Sequence, residues 1–320
     1  MYNIGVDLGG TNIAIGIVDE NHKIVKKGSV PTGAKRTSDA IADDIAALIE
    51  QLIADYGITK ADIGTVGIAT PGIVARDTGV VTYSCNLPFR NFPIAEAMKT
   101  RLGIDRIFVE NDANAAALGE AVAGAAAGSN NSVMITLGTG VGGGIIIDRH
   151  VYAGFNFAAG ELGHIVIEAG GRLCSCGRRG CWETYSSATG LAAITAEKIA
   201  ECRAKKIPTL MTKETVDIGK PASARTAFAC MKQGDGPAKE VVDMYVNYLA
   251  CGLTNIINIF QPEVITLGGG VSNEGHYLID PLTPIIEHEQ YTRDLPVKTK
   301  VVTAKLGNDA GIIGAANLGA

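Results

Sequence analysis

Twice in this chain an apolar strand runs into a turn built largely of glycine and returns as a second strand. Residues 4–8 lead through Gly9-Gly10-Thr11-Asn12 into residues 14–18, and residues 133–137 lead through Gly138-Thr139-Gly140-Val141-Gly142-Gly143-Gly144 into residues 145–148. Short apolar runs bounded by such turns read as β-hairpins, and their recurrence predicts two related halves. A third glycine turn, Gly268-Gly269-Gly270, follows a strand over 264–267 that is itself preceded by a long helical pattern over 238–260. A helix over 38–56, strands over 65–69 and 106–110, an alanine-rich helix after Asp112 and a terminal helix over 309–318 complete an alternation of helices and strands. At 320 residues the chain exceeds one ordinary core, so two α/β domains sharing an interdomain cleft are expected. The stretch 205–223, with two prolines and little periodicity, reads as a surface insertion.

The glycine turns suggest phosphate binding, and spacing narrows the kind. Gly138-x-Gly140-x-x-Gly143 matches the dinucleotide fingerprint in form, but that motif needs a helix after its glycines, whereas Gly144-Ile145-Ile146-Ile147-Asp148 reads as a returning strand. Gly219-Lys220 lacks the upstream glycine and the following Ser or Thr of a Walker A loop. What remains is a pair of glycine hairpins whose backbone N–H groups can approach an oligophosphate without Cβ interference, with Thr11, Asn12 and Thr139 as side-chain donors. Taken alone, either loop reads first as an ordinary hairpin turn. Asp7, at the end of an apolar strand, is costly there without a partner and could hold Mg2+ through water.

A different chemistry is written between Glu161 and Glu183. Glu161-Leu162-Gly163-His164, Cys174-Ser175-Cys176-Gly177 and Gly180-Cys181-Trp182-Glu183 place one imidazole and three thiols at short spacing, bracketed by carboxylates. His164, Cys174, Cys176 and Cys181 suit a closed, structural tetrahedral Zn2+ site that staples a loop lacking any periodic apolar pattern. Such a staple would hold Glu161, His164 and Glu183 for hydrogen bonding to a polar ligand. The remaining cysteines, Cys85, Cys202, Cys230 and Cys251, are scattered and read as core packing.

Charged residues are 19% and the formal net charge is −5, which argues against a nucleic-acid surface and against disorder. The longest apolar stretches, 113–127 and 133–147, are broken by Glu120 or crowded with glycine, so no membrane span is expected. Met1 passes directly into a strand, which leaves the expectation of a cytoplasmic protein without a signal peptide.

With these loops, the segment Val109-Glu110-Asn111-Asp112-Ala113-Asn114-Ala115 and the Cys-x-Cys-Gly-x-x-Gly-Cys-x-Glu motif in hand, the chain resembles the ROK family (repressors, open reading frames and sugar kinases) over nearly its whole length. Within the family it looks most like the zinc-containing glucokinases. The resemblance implies the two-domain actin-like ATPase/sugar-kinase (ribonuclease H-like) fold: a small domain over 1–115 completed by a terminal helix at about 307–320, and a large domain over 116–306 carrying the zinc loop 164–181. It implies that Asp112 is the base toward a sugar hydroxyl, with Gly72, Asn86, Asn111, Glu161, His164 and Glu183 also in the sugar pocket. Asp7, Gly9, Gly10, Thr11, Asn12, Gly138, Thr139, Gly140, Gly268, Gly269 and Gly270 would hold ATP and Mg2+.

For several of these a plainer reading stands beside the family one. Asp112 could simply cap a helix, Glu161 and Glu183 could be solvated charges, and Gly72 and Asn86 could be turn residues. The first hairpin begins within ten residues of Met1, without the repressors' DNA-binding extension, which points to the kinase branch. The expected reaction is phosphorylation of the 6-hydroxyl of an aldohexose, glucose first, by a homodimer whose domains close around the sugar. The rivals are kinases for an N-acetylhexosamine, mannose, allose or fructose, polyphosphate or ADP as donor, and a non-catalytic sugar sensor.

Overall fold

The computed structural model describes residues 1–319, which form two compact units. The first comprises Met1–Met134, Gly144–Gly160 and the C-terminal segment from Ala304; the second comprises Ile135–Gly143 and Glu161–Thr303. The boundaries differ from a simple division at residue 115. The helix after Asp112 contacts strands of the N-terminal sheet and the returning C-terminal helix, and residues 150–151 contact that same helix after Asp112, so these segments group with the first unit.

The first unit is built on strands β1 (Tyr2–Leu8), β2 (Asn12–Val18) and β3 (Ile24–Pro31), followed by helix α1 (Ser38–Tyr56) and strand β4 (Ile63–Thr70). Short strands β5 (Ile73–Ala75), β6 (Val80–Tyr83) and β7 (Arg90–Phe92) form a separate three-stranded sheet. Helix α2 (Ile94–Leu102), strand β8 (Ile107–Asn111) and helix α3 (Asp112–Ala123) follow. The main sheet has the order β3-β2-β1-β4-β8, antiparallel through β1 and parallel from β1 to β8. Helix α1 begins where the Thr37 side chain accepts the Ala40 N–H and stops at Gly57, whose φ of 78° is left-handed. Its Ile41, Ile45, Ile49 and Leu52 recur at helical spacing, and with α2 they bury one face of the sheet.

The chain passes between units through β9 (Ser132–Leu137) and β10 (Val141–Ile147), and β11 (His150–Val151) pairs back onto β10. In the second unit α4 (Glu183–Ser186), α5 (Ala188–Lys205), α6 (Leu210–Lys213), α7 (Ala224–Met231) and α8 (Gly236–Phe260) precede β12 (Val264–Gly268), α9 (His276–Glu289) and β13 (Lys300–Thr303). The second main sheet runs β11-β10-β9-β12-β13. Helix α10 (Ala310–Ala316) then returns to the first unit and packs on β1, β4 and α3. That approach is backbone to backbone: a Cβ on Gly5 would overlap the Ile312 carbonyl, and one on Gly67 the Ala315 carbonyl. The buried Glu120 carboxylate secures the return, accepting the N–H groups of Ala125, Lys305 and Leu306 at 2.7, 2.9 and 2.8 Å.

Several expectations need correction. The stretch 205–223 contains α6 and a 3-10 turn, Val216–Ile218, with Met211 fully buried, so part of it is core rather than surface insertion. Gly142, Gly143 and Gly144 lie in β10 and not in a turn. Gly144 is required there because a Cβ would overlap Ala117 and the Ala113 carbonyl. Cys85 is exposed rather than packed in a core, while Cys202 and Cys230 are fully buried. No helix among the described residues is long and apolar enough to cross a membrane.

Candidate active site and metal centre

In the first unit the strand directions gather the polar residues. Because β1, β4 and β8 are parallel, Asp7, the Thr70-Pro71-Gly72 turn and Asn111-Asp112 share the carboxyl-end edge of the sheet, the edge where α/β proteins bind ligands. The adjoining glycine turn is closed by Gly9 N–H donating to the Asn12 carbonyl at 2.9 Å. Thr32 pins it further, its N–H on the Thr11 carbonyl at 2.8 Å and its hydroxyl on the Gly9 carbonyl at 2.6 Å. Gly10 faces Asn86, whose Cβ a side chain at position 10 would touch at 3.6 Å. Gly72 has a φ of 115° and lies against the Tyr83 carbonyl, where no Cβ fits. Its own carbonyl accepts Asn111 Nδ2 at 3.1 Å.

The cap of α3 is Asn111 and not Asp112. Asn111 Oδ1 accepts the Ala113 and Asn114 N–H groups at 2.9 and 3.2 Å. Asp112 occupies the first helical position, and its Oδ1 accepts the Ala113 N–H at 2.9 Å. Burial raises the Asp112 pKa above the ordinary carboxyl value, outweighing the hydrogen bonds that lower it. Asp7 is pushed up to about 6, first by burial and second by the charge of Asp112. Two carboxylates that resist simultaneous ionisation at one sheet edge are suited to proton transfer and to a dication.

In the second unit the glycine turn of residues 138–140 is closed by Gly138 N–H on the Gly140 carbonyl at 3.0 Å. It is braced by Ala188 N–H on the Gly138 carbonyl at 2.8 Å and by the Thr189 hydroxyl on the Thr139 carbonyl at 2.8 Å. Thr139 and Gly140 line a cavity of about 530 Å3 together with Arg172, Ser175, Glu183 and Gly190. Gly268 ends β12 rather than forming a turn. The turn itself is made by Gly269, whose φ of 83° places it against Leu137, and Gly270 opens a short 3-10 segment.

The metal quartet assembles as the spacing predicts. One ligand atom from each of His164, Cys174, Cys176 and Cys181 lies within 4.8 Å of the others. His164 Nδ1 is 3.6 Å from Cys174 Sγ, and Cys176 Sγ is 3.7 Å from Cys181 Sγ. A zinc–sulfur bond of about 2.3 Å gives a tetrahedron with edges of about 3.8 Å, so the donor set fits Zn2+. Burial and the neighbouring thiols push Cys181 up to about 12, a crowding of would-be anions that a dication relieves. The loop is shaped by a tight turn, Gly177 N–H on the Cys174 carbonyl at 3.0 Å, and by Arg178 Nη1 on the His164 carbonyl at 3.0 Å. The fully buried Trp182 anchors it to α8 by donating Nε1 to the Tyr248 carbonyl at 3.0 Å, over Gly252, where a Cβ would overlap the indole.

The carboxylates around the quartet divide their contacts. Glu161, largely exposed, has Oε2 3.9 Å from His164 Nε2, the ring nitrogen turned away from the thiols. Glu183 Oε1 lies 3.3 Å from Cys174 Sγ, and its Oε2 accepts the Val141 N–H at 3.3 Å, so it joins the loop to the glycine turn. That second contact had no sign in the local pattern of residues. Also missed were Arg76 and Glu110, which lie beneath Asn111 and Asp112. For Glu110 the signals were its place beside Asn111 and Asp112 and a charge closing the apolar run Ile107-Phe108-Val109; Arg76 had none.

The ROK family matches residues 3–320, and the chain belongs to that family. It is 36% identical over 314 residues to a glucokinase of Halalkalibacterium halodurans, covering 98% of this chain and 93% of that protein. It is 31% identical over 329 residues to an N-acetyl-D-glucosamine kinase of Aliivibrio fischeri, covering 98% of each. The crystal structure of a ROK family glucokinase from Streptomyces griseus in complex with glucose and AMPPNP superposes with a TM-score of 0.76 at 33% identity, covering 99% of each chain. The fold is accordingly that of the actin-like ATPases and sugar kinases.

Proposed function

We propose that this chain transfers the γ-phosphoryl group of ATP to the 6-hydroxyl of an aldohexose, glucose first. The observation that carries the reading is the pair Asp7 and Asp112 at one sheet edge, both with raised pKa, beside the glycine turn of residues 9–12. The family membership and the 36% identity to a glucokinase supply the substrate class. Asp112, fixed at the start of α3 and made more basic by burial, accepts the proton of the attacking hydroxyl. Asn111 orients the sugar, and Gly72, Asn86, Glu161, His164 and Glu183 hold its other hydroxyls. The N–H groups of the turns at 9–12 and 138–140, with Gly269 and Gly270, receive the nucleotide and stabilise charge as it develops on phosphate oxygens.

Asp7 is the carboxylate that would face a Mg2+ ion brought by the nucleotide, and such an ion would neutralise phosphate charge. His164, Cys174, Cys176 and Cys181 would hold Zn2+, whose work is to fix the loop carrying Glu161 and Glu183. A homodimer in the cytoplasm accompanies this reading.

The test is sugar-dependent ADP release measured with glucose, N-acetylglucosamine, N-acetylmannosamine, allose and fructose, with polyphosphate and ADP as alternative donors. Glucose with ATP should give the highest kcat/KM, and Asp112→Ala should lower kcat by about 10²- to 10⁴-fold. A second reading, an N-acetylhexosamine kinase, is favoured by the 31% identity to the Aliivibrio enzyme and wins if an acetylated sugar turns over faster than glucose. Tight sugar binding with background turnover, unchanged in Asp112→Ala, would identify a sensor.

A further inference from the structure

Glu110 is a carboxylate with only 2% of its surface exposed, and the chemistry proposed above does not use it. It is the penultimate residue of β8, following Val109, which lies in the main core of the first unit. A charge at such a place is costly unless it is paired and hydrogen-bonded. Here it is both. Glu110 Oε1 accepts the Asn111 N–H at 2.8 Å and Asn114 Nδ2 at 3.1 Å. Arg76 Nε lies 2.8 Å from Glu110 Oε2, a charge contact rather than a well-aligned hydrogen bond. Arg76 follows β5 directly, and its Nη1 donates to the Val151 carbonyl at 3.2 Å. The guanidinium therefore sits between β5 and β11 and presents its charge to the buried carboxylate.

The residues that Glu110 grips lie on either side of Asp112. Asn111 precedes it and Asn114 is two positions beyond, so one carboxylate oxygen brackets the first turn of α3. Asn111 is held at three more points: its Oδ1 caps the Ala113 and Asn114 N–H groups, and its Nδ2 reaches the Gly72 carbonyl. We propose that the Arg76–Glu110 pair is a positioning device that sets where the Asp112 carboxylate stands relative to the substrate hydroxyl, so that its loss is felt in turnover and not in substrate affinity. This rests on the reading of Asp112 as the base. A displacement of about 1 Å in a reacting group costs up to about 10²-fold in rate, so small relaxation of the α3 start is enough to register. Helix capping alone does not require a buried charge, because Asn111 already supplies the cap.

Glu110→Gln keeps an acceptor for Asn111 but loses the charge that meets Arg76; Arg76→Met removes the cation and Arg76→Lys retains it. In the full-length protein we expect Glu110→Gln and Arg76→Met to lower kcat by about 10-fold or more, with KM for sugar and ATP within about 3-fold of wild type. Arg76→Lys should recover more kcat than Arg76→Met. Hydrogen exchange should quicken in both impaired variants at the amides of residues 111–114 while the β1 and β4 amides keep their protection. Wild-type kcat in Glu110→Gln, or a kcat loss that accompanies faster exchange throughout the first unit, overturns the proposal. If Glu110→Gln does not fold, Arg76→Met and Arg76→Lys decide by the same readouts. Asp112→Asn run in parallel separates the two ideas. Full activity there defeats the base reading and this proposal with it, whereas an inactive Asp112→Asn beside a fully active Glu110→Gln defeats the positioning role alone.

Discussion

Replacing Asp7 by asparagine should stabilise the protein while impairing it. A carboxyl moved from its ordinary 3.8 up to about 6 is one whose charged form the fold disfavours. The sign follows from proton binding: between the two values the unfolded chain has released its proton and the folded chain has not, so stability falls as pH rises through this window and levels off above pH 6. Each pH unit of displacement corresponds to about 1.4 kcal/mol. The ionised side chain therefore costs the fold less than about 1 kcal/mol at pH 4, about 2 at pH 5 and about 3 at pH 7. Asp7→Asn removes this cost, so its stability advantage over wild type should widen by about 1 kcal/mol or more between pH 5 and pH 7. Urea unfolding of both proteins without Mg2+ or nucleotide, at half-unit pH intervals, measures the difference directly. Groups remote from Asp7 titrate alike in both proteins and cancel, which leaves Asp112 as the one coupled neighbour. A difference that stays flat from pH 5 to pH 7, or an asparagine variant less stable than wild type at pH 7, refutes the reasoning. ATP-dependent turnover by the variant should fall throughout, the exchange of stability for function that strained sites show.

Three further outcomes are expected. Gly67→Ala should destabilise the first unit by about 2–4 kcal/mol, because its Cβ overlaps the Ala315 carbonyl and α10 must move; a midpoint within experimental error of wild type in urea would contradict the packing. Glu120→Ala, which leaves the N–H groups of Ala125, Lys305 and Leu306 without their acceptor, should cost about 3–5 kcal/mol and expose the segment after Ala304 to protease. Cys181→Ser should reduce bound zinc, measured by atomic emission, from one equivalent to a small fraction and raise the sugar KM, since Glu161 and Glu183 lose their frame.

What could be read from the sequence was whatever depends on near neighbours. The helix at about 38–56 was legible because its apolar residues recur at helical spacing, and the structure adds that Thr37 and Gly57 mark its ends. The metal quartet was legible because three of its four members lie within eight positions and form one knuckle. Elements too short to show a period were not: β5, β6 and β7 have three or four residues each, and α6 has four. Asp112 and Asn111 both suit a helix cap, and only the backbone reveals that Asn111 holds that place. Gly144 of β10 looked like part of a turn because its reason for being glycine, the approach of α3, lies elsewhere in the chain. The ties from Glu110 to Arg76 and from Glu183 to Val141 span 34 and 42 positions, beyond any local pattern.

Helix α10 also bears on how the protein is made. A ribosome delivers β1, β4 and α3 long before the residues that fill the groove among them, and the whole second unit is synthesised in between. The side of the first sheet packed by α1 and α2 can consolidate early, but the side carrying Gly5 and Gly67 waits, with Glu120 holding an acceptor for amides not yet translated. A nascent chain halted at Thr303 would therefore be one the cell's quality control reads as unfinished, however much of its first sheet had already formed.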